Sequence, residues 1–185
     1  MKSALLLFDP FYADFKKSST WQKMQMHRED NPCHRELNLA RHIDLSISWY
    51  LNNLAPNRND WQVMMTLLAI LFHDMWKIES APGGRARYWR HWAVSNRALL
   101  NDGLRVTAAT DLDIIALCIA NSSAHNPAPQ VIAELVNELG GASAVRVWID
   151  LAIANEYGRY CDEGEQLSEL EIQDWIRKAQ GPINN

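Results

Sequence analysis

The chain has 185 residues, enough for one domain spanning 1–185 and a sizeable core. With 48% apolar and 22% charged residues it is neither a disordered nor a fibrous chain. A net charge of -4 argues against a protein whose main business is gripping nucleic acid, because that affinity comes largely from neutralising phosphates with Lys and Arg. Three cysteines, Cys33, Cys118 and Cys161, at wide and unrelated spacings form neither a disulfide framework nor a CxxC knuckle, and a reducing cytoplasm is the expected home.

At the N-terminus, Asp9 and Pro10 cut off the short apolar run from Met1 to Phe8 before a signal-peptide core could form. The segment 1–33 is left without an assigned helix. From Arg35 to Leu54, apolar residues recur at the three-and-four spacing of an amphipathic helix (Leu39, Ala40, Ile43, Ile47, Tyr50, Leu51 and Leu54), which Pro56 ends. Asp60 is the expected cap of the next helix, so densely apolar from Val63 to Met75 that most of its circumference must be buried. Its longest apolar run, Met64 to Phe72, is far short of the roughly 20 residues that span a bilayer.

Ala81-Pro82-Gly83-Gly84 breaks the chain, and a basic, aromatic helix is expected from Arg85 to Leu100. Further helices are expected at Asp111 to Ala120, Pro129 to Leu139 and Ala142 to Tyr160, and a C-terminal one over about 167–179, opened by the Ser168–Glu171 capping box. No alternating strand pattern appears, so the expected fold is all-α, with a core over about 34–160.

The chemistry concentrates in LLAILFHDMWKI, where His73, Asp74 and Lys77 end a helix that is otherwise nearly all apolar. A buried Asp is costly to ionise unless it is paired, hydrogen-bonded or bound to a cation, so His73-Asp74 is either a ligand pair or a local polar cluster. His42, His91, His125 and Asp150, with His34 as an alternative first ligand, are further candidates on other expected helices or their turns. Imidazole and carboxylate groups converging in this way suit Mn, Fe, Co, Ni or Zn, with Mg as an alternative.

The order His, then His-Asp after a hydrophobic helix, then a late Asp resembles the HD-domain phosphohydrolase superfamily, and LLAILFHDMWKI is similar to its apolar-run HDxxK signature. The resemblance covers about His34 to Arg159. It implies a single-domain helical bundle holding one or two divalent ions and hydrolysing a small nucleotide, either a nucleoside monophosphate or a deoxynucleoside triphosphate. His73 and Asp74 match the doublet and His42 the first histidine. WQKMQMHREDNPCH is loosely similar to the bacterial deoxynucleotidase branch and would instead favour His34. YWRHWAVSNRALL, with His91, and SSAHNP, with His125, stand where the two-metal branch carries extra histidines. In WIDLAIANEYGR the closing Asp aligns either with Asp150 or with Asn155.

Under the same resemblance Asp74 and Lys77 are the catalytic candidates, with Glu79 a second candidate base. Arg85, Arg87 and Arg90 are candidate phosphate contacts, because a guanidinium binds phosphate in a bidentate way. Trp21 and Trp89 are candidate stacking platforms for a base or ribose. Two rivals stay open: a phosphodiesterase acting on a cyclic dinucleotide or single-stranded nucleic acid, although the HHExxDGxGYP-like signature of the cyclic-di-GMP branch is absent, and a catalytically silent nucleotide-binding regulator. A homo-oligomer also stays open.

Overall fold

The computed structural model describes residues 2–28, 38–78, 85–106, 108–122, 137–138, 141–159, 170, 174 and 177, with the backbone alone at 85, 86 and 142. The fold is all-α, and no strand occurs among the described residues. The helices are α1 (Lys2–Phe15), α2 (Ser19–Met26), α3 (Leu39–Asn53), α4 (Asp60–Phe72), α5 (Arg85–Ser95), α6 (Ala109–Ala120) and α7 (Ala142–Tyr157). Among the described residues no helix is long and apolar enough to cross a membrane. The helices expected at Pro129 to Leu139 and over 167–179 fall almost wholly outside the described residues, as do Cys33 and Cys161.

Helix α4 is the axis of the molecule. Every residue from Val63 to Phe72 is buried, and α4 packs on α7, α1, α6 and α3. Its start is set one residue earlier than expected: Asn59, not Asp60, is the cap. The Asn59 side chain accepts from Gln62 N at 2.9 Å while Gln62 Oε1 accepts from Asn59 N at 3.3 Å, a reciprocal capping box that satisfies two otherwise orphaned donors. Asp60 instead occupies the first turn, where its charge complements the helix N-terminus.

Helices α1 and α2 are additions to the expected set. Ala4, Phe8, Phe11 and Phe15 stand on one stripe of α1 and are buried against the core, which outweighs the backbone hydrogen bond lost at the exposed Pro10. Ser18 caps α2 by accepting from Trp21 N at 3.2 Å. The aromatic rings then run in a chain from Trp21 through Phe15 to Phe72 and on to Trp89 and Trp92. Helix α3 begins at Leu39 rather than Arg35, capped by Asn38, and packs against α7 and α4. That packing brings the polar end of α4 against α3 and the last turns of α7.

Candidate metal centre

Four side chains from three helices meet at this point, all buried: His42 from α3, His73 and Asp74 from the end of α4, and Asn155 from α7. His42, His73 and Asp74 each offer one ligand atom within 4.8 Å of the others, and this group can hold a metal ion. His42 Nε2 lies 3.4 Å from His73 Nε2, and Asn155 Oδ1 lies 2.9 Å from the first and 3.0 Å from the second. Asp74 Oδ2 is 3.4 Å from His73 Nε2.

The helix ends dictate which ring nitrogens face inward. Carbonyls in the last turn of a helix run out of intrahelical partners. Ile70, in the last turn of α4, accepts from His73 Nδ1 at 2.7 Å; Gly158, the residue after α7, accepts from His42 Nδ1 at 3.2 Å. A carbonyl oxygen can only accept, so each Nδ1 carries its proton, and in a neutral imidazole each Nε2 is then left with a lone pair. Backbone carbonyls holding the far nitrogen in this way are the usual outer support of a metal-binding histidine.

Two imidazole nitrogens, an amide oxygen and a carboxylate oxygen thus converge on one point. Ligands bonded at about 2.1 Å stand roughly 3.0 to 3.4 Å apart when the angle between them is about 90 to 110°. The separations of 2.9 to 3.4 Å fit that range. A set of two nitrogens and one or two oxygens suits the same borderline divalent ions expected from the sequence.

After Asp74 the chain turns through a 3-10 segment, Met75–Lys77, which folds Lys77 back so that Nζ donates to Asp74 Oδ2 at 2.8 Å. Burial opposes a charge on Asp74, but His73, Lys77 and His42 together outweigh it and hold the carboxyl well below its ordinary range. Asp74 is therefore the anion of the group.

Asp150 stands elsewhere. Residues five apart on a helix are turned about 140° from one another, so Asp150 and Asn155 cannot face the same point. Asp150 is fully buried and accepts from Arg58 Nε at 2.6 Å and from Nη2 at 2.9 Å, a bidentate pair that fixes the connection before α4 to α7. Burial pushes its carboxyl up, and Arg58 and Arg146 pull it back. Of the two alignments open in the sequence, the geometry brings Asn155 to the histidines, and Asp150 does not serve as a ligand to this group.

His91 is exposed on α5 and lies outside the group, so it lends nothing to a second ion at this point. His34, His125 and Glu79 lie outside the described residues. Arg90 is exposed and pairs with Asp113 at 3.4 Å, Arg87 is exposed, and the Arg85 side chain is outside the described set. The stacking role expected of the two tryptophans is not met. Trp89 is fully buried with Nε1 donating to Leu112 O at 3.0 Å, and Trp21, 3% exposed, packs edge-on to Tyr12 and Phe15, so both rings are spent on the core.

Gly158 is the site residue that no local pattern in the chain singles out. Besides accepting from His42, it sits so close to α3 that a Cβ there would fall 1.9 Å from Ser46 Oγ and 2.9 Å from Ser46 Cα. Comparisons with family models, with curated proteins and with solved structures found no match to this chain.

Proposed function

We propose that this chain is a metal-dependent phosphohydrolase of the HD-domain type, acting on a phosphate ester or anhydride of a small nucleotide. The observation that carries the reading is the pair of imidazoles whose Nδ1 atoms are tied to carbonyls and whose Nε2 atoms face an adjacent carboxylate. His42, His73 and Asp74 would hold one divalent ion. Such an ion, when bound, neutralises phosphate charge and acidifies a water for in-line attack.

The chain's own residues supply the rest. The two carbonyl contacts hold the rings so that their Nε2 atoms need no reorientation on binding. Lys77, 17% exposed, anchors Asp74 and offers a cation to a phosphoryl group drawn to this point. A carboxyl held as low as Asp74 is a poor proton acceptor, so its part is to bind charge rather than to act as a general base.

The test is phosphate release from a panel of nucleoside monophosphates and deoxynucleoside triphosphates, starting from chelator-treated protein with Mn, Mg, Co or Ni added back. Asp74→Ala should keep its helical circular dichroism and lose at least about 100-fold in rate, the order expected when a main electrostatic contributor is removed. Near-normal turnover by folded Asp74→Ala would make the doublet structural. The neutral Asn155 favours a second reading, a silent nucleotide-binding module. Tight nucleotide binding with no phosphate release under any of the four metals would select it.

A further inference from the structure

The end of α4 away from the metal centre borders a cavity of about 320 Å³, walled by Leu7 of α1, Met64 and Met65 of α4 and Val106 of the turn before α6. From Trp61, which also lines it, to His73 the helix climbs roughly 18 Å at about 1.5 Å per residue, so the cavity is separate from the group around His73. Its size stands at the lower end of the range of small-ligand sites, about 300 to 1,000 Å³. Two methionines in the wall let it adapt to more than one apolar shape.

The polar groups at its rim are not equivalent. Trp61 Nε1 donates to Asp111 Oδ1 at 3.1 Å, which ties the indole to α6 and occupies that oxygen. Asp60 is held by the start of α1, through Ser3 and the Ala4 backbone. Both carboxylates thus have protein partners. Arg105 is exposed and makes no hydrogen bond or ion pair among the described residues.

The backbone at Arg105 is a second, independent observation. One turn of π-helix, Leu99–Gly103, ends with Val106 N donating to Leu100 O at 2.8 Å, and the chain between them passes through Arg105 with φ at +56°. Glycine usually fills the left-handed position of such a capping turn, because a side chain is strained there. Arg105 is the one non-glycine residue with positive φ among those described. Leu104 and Val106, 2% and 3% exposed, anchor it from both sides at the cavity rim. A strained arginine with no protein partner, at the mouth of an apolar cavity, is a cation available to a molecule from outside.

We propose that this cavity binds a small amphipathic anion, with its apolar body against Leu7, Met64, Met65 and Trp61 and its carboxylate or phosphate head on the Arg105 guanidinium. The fork of N–H donors matches either head. The site stands apart from the metal-site reading, and neither needs the other.

The experiment is calorimetric titration of the full chain, chelator-treated so that the metal centre plays no part, with octanoate, octyl phosphate and octylamine, which share one body and differ in the head. At least one of the two anions should saturate a single site per chain, the tighter naming the head. Octylamine should bind at least about 10-fold more weakly, and Arg105→Gln should weaken the anion about 10-fold or more, the worth of a charge-assisted hydrogen bond. Arg105→Lys should recover part of that loss. Arg105→Gly should lose the anion as fully, yet unfold at the wild-type temperature or a few degrees higher, since glycine relieves the left-handed strain.

The indole N–H resonance of Trp61, identified by its loss in Trp61→Phe, should move with the same midpoint as the heat of binding. The proposal is overturned by the lack of saturable binding of both anions, by octylamine binding as tightly as they do, or by Arg105→Gln at wild-type affinity. It is equally overturned by an Arg105→Gly protein that unfolds well below wild type, or by a Trp61 resonance that stays still.

Discussion

Gly158 serves His42 twice, by its carbonyl and by its missing side chain. A methyl at this position meets Ser46 Oγ at 1.9 Å and the Ser46 backbone at 2.9 Å, so α3 and α7 must part. Gly158→Ala should therefore destabilise the fold by about 1 to 3 kcal/mol in urea unfolding, the usual cost of overpacking, and should release a bound ion more readily because His42 rides on α3. Unchanged stability and ion retention would show that the helices close over the methyl. This residue was illegible in the sequence because its partners lie 112 and 116 positions away. The doublet was legible for the opposite reason, since two polar residues abruptly ending a buried apolar run are visible locally. Asp150 attracted attention by its charge, yet that charge is committed to Arg58, 92 positions distant, and no local spacing announces such a pair.

Between elements, α1 is tied to α3 by Tyr12, whose hydroxyl donates to Asp44 at 2.9 Å, with Lys16 reaching the same carboxylate oxygen. Burial first, and then Asp44, push the Tyr12 phenol far above its usual value of 10.0, and burial does the same to Tyr50. The sign follows from proton counting. A raised folded value means that the folded state keeps a proton which the unfolded chain gives up above about pH 10, so the stabilisation is complete below that pH and is lost as pH climbs further. Each such tyrosine should steepen the alkaline fall in unfolding free energy by about 1.4 kcal/mol per pH unit. Tyr12→Phe should flatten the slope of wild type above pH 10 by that amount in urea titrations, and an identical slope would show that the phenol ionises freely. The tie itself could not be read from the chain. The Ala4, Phe8, Phe11, Phe15 stripe was present in the sequence, but Asp9-Pro10 reads as a stop, and only burial of three phenylalanines explains why the helix continues through it. Helix α4, by contrast, was plain from composition alone, with the cap misplaced by one residue.

Across the whole molecule, the rings of Trp21, Phe15, Phe72, Trp89 and Trp92 form an unbroken series from the N-terminal helices to α5, with Phe72 4.3 Å from Trp92 and 4.9 Å from Trp89. Phe72 is also the residue directly before His73. The indoles of Trp89 and Trp92, stacked at 5.8 Å and 22°, therefore lie one link of covalent chain and one ring contact from an imidazole that would change its electrostatic surroundings on taking up an ion. The protein carries its own optical reporter. Zinc added to the chelator-treated chain should alter the near-ultraviolet circular dichroism and tryptophan emission with the same midpoint as direct ion binding, and Trp92→Phe should remove a large part of the signal. Saturation with zinc and no spectral change would mean that the ring series is deaf to the neighbouring histidine. A responsive signal would let occupancy be followed in dilute solution without a label, a substrate or a chromogenic competitor.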